Sequence, residues 1–229
     1  ILNLDDSVGQ ALEWMDEFKV SHLPVTNNKQ FFGLVSEEEL LNAESSKEPL
    51  LSLQSTFVMA FVFSQQHVFE ALKRISENKL SVIPILDAKN QYLGAVSTNF
   101  LMEVISDMPV VKQPGGIIVL EMSLNDYSLF EIARIVEENG AKILGSFITR
   151  FPESTKMELT LKINREDITQ ILNSLEAWAK ENQFQRCILE TGDRQVEAVK
   201  FYEKSGYKRT PKYGQYKQME NSICFEKHL

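Results

Sequence analysis

The 229-residue sequence predicts a mixed α/β fold of the α+β kind, assembled from several small units. Three observations predict it. Residues 8–36 return, in the same order, at 68–97. From Ile117 to Leu175 the pattern reads strand, helix, strand, strand, helix. A last strand, a helix and a pair of strands then fill the chain from Arg186 onward.

The repeat is read first. Val20-Ser21-His22-Leu23-Pro24-Val25 aligns with Leu80-Ser81-Val82-Ile83-Pro84-Ile85 at an offset of 60. Val8, Ala11 and Leu12 align with Val68, Ala71 and Leu72 at the same offset, and Gly33-Leu34-Val35-Ser36 with Gly94-Ala95-Val96-Ser97 at an offset of 61. The extra residue falls in the turn Asp87-Ala88-Lys89-Asn90, where an insertion is tolerated. Each copy opens with a helix whose apolar residues (Val8, Leu12, Met15; Val68, Ala71, Leu72, Ile75) are spaced three and four apart. A proline-containing strand follows, then a turn, a strand from Gly33 or Gly94, and a second helix that Ser36 or Ser97 caps. Glu39, three residues after Ser36, predicts a reciprocal capping box. A unit this small buries its apolar face poorly by itself, so the two copies are expected to pack together.

This order of helix, Ser-His-Leu-Pro-Val, turn, Phe32-Gly33-Leu34-Val35-Ser36 and helix resembles a CBS domain, and the duplication resembles a CBS pair. The resemblance implies an adenine nucleotide (AMP, ADP or ATP) held in a cleft between the copies. It points to His22, Pro24, Ser36, Glu39 and Ser97 as ligand-binding residues: a hydroxyl for phosphate and a carboxylate to accept from ribose hydroxyls. In the second copy Phe100 stands where the acid belongs, so the second site is expected to be weak or empty. The alternative is that Ser36 and Glu39 only cap a helix.

The turn-rich stretch from Met108 through Gly116 reads as a linker. Beyond it come the strand Ile117–Met122 and a helix with Leu129, Ile132, Ala133 and Val136 on one face, ended by Gly140. A strand spans Lys142–Phe151. In the next, Met157, Leu159, Leu161 and Ile163 alternate with polar residues, as in a sheet with one wet face. Asn164 is expected to cap a helix carrying Ile168, Ile171, Leu172 and Leu175. The order calls for one more strand to complete a ferredoxin-like sheet, and Cys187-Ile188-Leu189 is the expected supplier. This unit resembles an ACT domain, as found behind CBS pairs in bacterial proteins of the acetoin-utilization type. The resemblance implies a homodimer or a second ligand held by Asn125, Asp126 and Ser128; alternatively, Asp126 and Ser128 cap the helix.

The tail runs from Arg186-Cys187-Ile188-Leu189-Glu190-Thr191-Gly192 through a helix with Ala198, Val199 and Tyr202, closed by Gly206-Tyr207, to Tyr213-Gly214-Gln215-Tyr216 and Ser222–Lys227. It resembles the last third of a GNAT N-acetyltransferase. That family implies acetyl-CoA as cofactor and Tyr202 as a catalytic acid protonating the departing thiolate. The family's glycine-rich pyrophosphate loop does not occur in this sequence, so no required cofactor is expected and the enzymatic reading is the alternative one. Expected domains are 1–50 and 51–110 (the CBS copies), 115–176 (ACT-like) and 177–229 (GNAT-like).

Composition bounds these readings. Hydrophobic residues make up 43% and charged residues 24%, the mix of a globular protein. No apolar run approaches the roughly 20 residues that span a bilayer, and no secretory signal is legible, so a cytoplasmic protein without a membrane partner is expected. The chain opens at Ile1 rather than Met, from which a trimmed or omitted leading piece is expected. A net charge of -8 repels a phosphate backbone and argues against nucleic acid as a partner. Two cysteines and three scattered histidines give neither a disulfide framework nor metal-ligand spacing.

Overall fold

A computed structural model describes residues 1–151, 154–193 and 196–229. The chain forms two compact units, residues 1–108 and 109–229, of mixed α/β architecture.

In the first unit each copy is a three-stranded sheet with two helices. Copy one contains β1 (Leu2–Asn3), α1 (Val8–Phe18), β2 (His22–Asn27), β3 (Gln30–Ser36) and α2 (Glu37–Leu41). β1 runs parallel to β2, and β2 antiparallel to β3. Copy two repeats this with β4 (Val62–Phe63), α3 (Val68–Asn78), β5 (Val82–Leu86), β6 (Tyr92–Ser97) and α4 (Thr98–Ser106). The correspondence extends to detail. Lys19 and Lys79 both end their helices in the left-handed region, and a register shift interrupts both hairpins, at Val25/Thr26 and at Ile85/Leu86. A 3-10 segment, Leu50–Thr56, joins the copies. Leu50, Leu53 and Phe57 pack into the core of copy one, so the connector belongs to that copy.

The copies are stitched together. Leu34 and Val58 exchange both backbone hydrogen bonds at 2.9 Å, and the Tyr92 amide donates to the Lys29 carbonyl at 2.8 Å. Phe31 and Leu34 of copy one are buried in the cluster that holds Ile75, Val82, Ile83 and Leu101 of copy two. One expectation is half met: Ser36 Oγ accepts from the Glu39 amide at 3.2 Å, but Glu39 Oε2 is buried without a hydrogen-bond partner. The reciprocal bond of the capping box is not made by that oxygen.

The second unit begins with a helical turn, α5 (Pro109–Lys112). β7 (Ile117–Ser123), α6 (Leu129–Glu138), β8 (Ile143–Arg150), β9 (Lys156–Ile163) and α7 (Thr169–Glu181) follow in the expected order. Their sheet has the order β7-β9-β8 and is antiparallel throughout. Along β9 the buried residues are Met157, Leu159, Leu161 and Ile163, the face that alternation predicts. Gly140, at φ +72°, ends α6. Asn164 departs from its expected role. α7 begins five residues later, where Asp167 Oδ1 accepts from the Thr169 amide at 3.0 Å, while Asn164 Oδ1 accepts from the Lys142 amide at 2.7 Å and anchors the start of β8.

The tail also departs from expectation. β10 (Arg186–Gly192) does not complete the β7 sheet; it pairs over all seven residues with β12 (Ser222–His228), which also pairs with β11 (Lys208–Thr210). Side-chain partition explains this. Cys187 and Leu189 pack with Leu172, Phe225 and α8 (Val196–Lys204) in a separate core, so β10 is held by its own helix and by β12. α7 serves both cores, with Ile171 and Leu175 in one and Leu172 in the other.

Candidate functional site

Of the residues expected to line a ligand cleft in the first unit, His22 sits where the two copies meet. β2 begins at His22, opposite Ser36 in the ladder, so the strand start and the helix cap are neighbours. The equivalent pair in copy two is Val82 and Ser97. Ser21 and Ser81 lie one residue before these strands, and there the copies touch. The Ser21 amide donates to Ser81 Oγ at 2.9 Å, and the Ser81 amide donates to His22 Nδ1 at 3.3 Å. His22 Nδ1 is also 3.3 Å from Ser81 Oγ and 3.2 Å from Ser21 Oγ. An imidazole accepting at Nδ1 is neutral, with its one ring proton on Nε2, and burial lowers the His22 pKa below its ordinary 6.5. His22 is therefore a fastener between the copies. Pro24 is buried in mid-strand opposite Leu34.

Ser36 and Glu39 stand together on the first turn of α2. Burial, with the charge of Glu38 adding to it, raises the Glu39 pKa above the usual carboxylate range. A buried carboxylate oxygen without a donor is a costly feature, on the order of 1–3 kcal/mol when fully desolvated. In copy two Ser97 Oγ accepts from the Phe100 amide at 3.2 Å, and the Phe100 side chain is 50% exposed. Copy two thus keeps the cap and carries an apolar group where copy one has an acid. A second carboxylate oxygen, Glu48 Oε2, is also buried without a partner. Neither Ser81 nor Glu48 was singled out from sequence, although the alignment of Ser21 with Ser81 could have identified the former.

The second unit holds a cavity of about 1430 Å³, walled by β7, β10, α7 and α8. Its polar lining includes Asp126, Glu121, Glu158 and Glu190, with Tyr202 and Tyr213. Tyr202 is 8% exposed, and among the described residues its hydroxyl has no hydrogen-bond partner. Burial, then the charge of Glu190, raises the Tyr202 pKa. Tyr207 donates to Glu176 Oε1 at 2.6 Å, and Lys227 pairs with the other oxygen of the same carboxylate. Of the three residues expected in a second ligand site, Asp126 reaches the cavity, Ser128 caps α6 by accepting from the Glu131 amide at 3.5 Å, and the Asn125 amide donates to Ser123 Oγ at 3.2 Å. Among the described residues no group of three or more His, Cys, Asp or Glu is arranged to hold a metal ion, and no helix is long and apolar enough to cross a membrane.

Comparison with known proteins places a family on part of this architecture. The CBS domain family model matches residues 1–46. Over 100 residues the chain is 27% identical to a homoserine O-acetyltransferase of Methanococcoides burtonii and 23% identical to an inosine-5'-monophosphate dehydrogenase of Methanocaldococcus jannaschii. These alignments take in 43% of this chain, which spans only a fifth (20%) of the length of either relative. Among solved structures, a CBS domain pair/ACT domain protein of Thermotoga maritima is similar at 21% identity and TM-score 0.41, over 45% of this chain and 85% of that one. An acetoin utilization protein of Vibrio cholerae is similar at 20% identity and TM-score 0.42, over 48% and 85%. The protein CBSX2, solved in complex with AMP, is similar at 21% identity and TM-score 0.40, over 46% and 85%. The match to the CBS domain family model is confined to the first 46 residues, and the chain is similar in structure to proteins that include a CBS domain pair/ACT domain protein.

Proposed function

We propose that the first unit is a regulatory module that binds an adenine nucleotide, with Ser36 and Glu39 as the principal polar contacts. The observation that carries this reading is the buried, unpartnered Glu39 Oε2 beside the Ser36 cap. Ribose hydroxyls are the donors that this oxygen lacks, and a bond to a charged acceptor contributes about 1.5–3 kcal/mol. Glu37 and Glu38, exposed on the same turn, set a negative field against additional phosphates. AMP is therefore expected to outrank ATP. Phe100 leaves copy two without the ribose acceptor, so one nucleotide per chain is the expected stoichiometry. Binding of AMP by CBSX2 supports the choice of ligand class. Ligand acts by favouring one arrangement of the two copies over another, and the βαββα sheet from Ile117 to Glu181 then serves as an ACT-like dimerisation or second-ligand element. Titration calorimetry with AMP, ADP and ATP tests the reading. AMP binding that Glu39→Ala abolishes supports it; no heat from any of the three up to about 1 mM sinks it.

A second reading is favoured by Tyr202 alone: a tyrosine in the wall of a cavity whose hydroxyl has no hydrogen-bond partner among the described residues, as acetyl transfer from acetyl-CoA to an amine would require of its acid. The acids of that cavity oppose the coenzyme's phosphates. Calorimetry with acetyl-CoA separates the two readings, since a silent titration removes this one and leaves the other untouched.

A further inference from the structure

We propose that the cavity of the second unit is a slot for an extended basic peptide, which enters as a strand between the free edges of β7 and β10. The lining carries the argument. Residues on one face of a strand contribute every second side chain, yet this cavity is lined by consecutive residues, 115–123 along β7 and 185–190 along β10. What faces the cavity is therefore the edge of each strand. β7 pairs only with β9, and β10 only with β12, so among the described residues both edges keep a row of backbone donors and acceptors unpaired. The volume, about 1430 Å³, exceeds the ~300–1,000 Å³ usual for small-molecule pockets.

Charge and polarity select the occupant. Lys156 and Arg186 are the basic residues of the lining, and each is held in an ion pair, with Glu121 and with Glu226. Glu158 and Glu190 have no ion pair among the described residues. Glu158 lies opposite Glu121 in the ladder, and burial together with that neighbour raises its pKa, a strain that an arriving cation relieves. The Tyr202 hydroxyl, which has no hydrogen-bond partner among the described residues, adds a polar contact in the wall. Leu172, Trp178 and Phe184 supply an apolar floor. A strand that alternates apolar and basic residues satisfies the floor with one face and the acids with the other, while its backbone completes the ladders.

The test uses the full chain and the peptide acetyl-Lys-Val-Lys-Leu-Lys-Val-Lys-amide, matched to the seven residues of each edge strand. Two controls accompany it: the same peptide with every Lys replaced by Glu, and the basic peptide N-methylated at alternate amides, which keeps the charge but cannot form a ladder. By fluorescence anisotropy the basic peptide is expected to bind at least ~10-fold more tightly than either control. The double variant Glu158→Gln, Glu190→Gln, checked for a melting temperature no lower than the wild type's, is expected to weaken it by ~10-fold. Amide exchange at 117–123 or 186–190 slows in the bound state. Equal binding of the N-methylated peptide, or no protection at either edge, overturns the proposal by reducing the effect to charge alone. A dimer whose edges are already protected and which the peptide does not displace also overturns it, assigning the slot to a second copy. Nucleotide binding in the first unit is measured separately, so failure of one proposal leaves the other standing.

Discussion

The backbone amide of Ser21 donates to the hydroxyl of Ser81 at 2.9 Å, so two residues at equivalent positions of the repeat hold the copies against each other. The return bond is not the mirror image. The Ser81 amide donates to His22, and copy two has Val82 where copy one has the imidazole. One histidine therefore completes a contact that the repeat alone would leave one-sided.

That contact is pH-sensitive. The folded-state pKa of His22 lies below its unfolded value of 6.5 because burial disfavours the cation, and Nδ1 must stay unprotonated to accept from Ser81. The unfolded chain therefore binds the extra proton. Stability is full above pH 6.5 and falls as the pH drops from there toward the folded pKa. Urea unfolding of the wild type is expected to show this acid-side loss. His22→Asn should cost about 1 kcal/mol at pH 7.5 and flatten the slope.

Glu39 should trade stability against affinity. Its raised pKa has the opposite sign of linkage: the native state takes up the proton first, so the penalty grows as pH rises above 4.5 and is complete above the folded pKa. Glu39→Gln removes the charge while keeping the shape. The free protein is expected to gain up to about 1 kcal/mol at neutral pH, and AMP affinity to fall by ~10-fold. Thermal melts with and without AMP measure both effects in one experiment.

The repeat-equivalent glycines should respond differently to alanine. At Gly33, with φ +139°, a new Cβ would stand 2.6 Å from the Cβ of Phe57, whereas at Gly94 nothing lies within 4 Å. Gly33→Ala is expected to cost about 2–3 kcal/mol and Gly94→Ala less than about 0.5 kcal/mol. Chemical denaturation of the two variants decides it.

The tail cysteines should be sluggish. Burial, then the charge of Glu176, raises the Cys187 pKa, and Cys224 is buried. In the native protein at pH 8 an aromatic disulfide reagent is expected to modify both at least ~10-fold more slowly than in denaturant. Tyr207→Phe, which takes a donor from Glu176, should cost about 1–2 kcal/mol.

Much of the fold was legible where local chemistry and periodicity agree. The offset of 60 located both copies because helix, proline strand and glycine strand recur in one order, and alternation along Lys156–Ile163 named the buried face residue for residue. The partner of β10 was not legible. An apolar strand carries no mark of which edge it will join, and the choice fell to Phe225 and α8, which cover Cys187 and Leu189. Asn164 misled for a related reason, since an asparagine able to cap a helix can equally accept from a strand end. In the site, Ser36 and Glu39 were named from spacing, but that Glu39 Oε2 would be left without a donor depends on packing no local pattern encodes.

The paired bonds between Leu34 and Val58, with Phe31 and Leu34 embedded among side chains of copy two, bear on how this duplication can be handled. A fragment ending near residue 46 would lose the segment that covers its outer strand and would lay two large apolar groups open to water. Shuffling or deleting one copy would therefore yield an insoluble half, and the smallest transferable piece is the doublet with its connector.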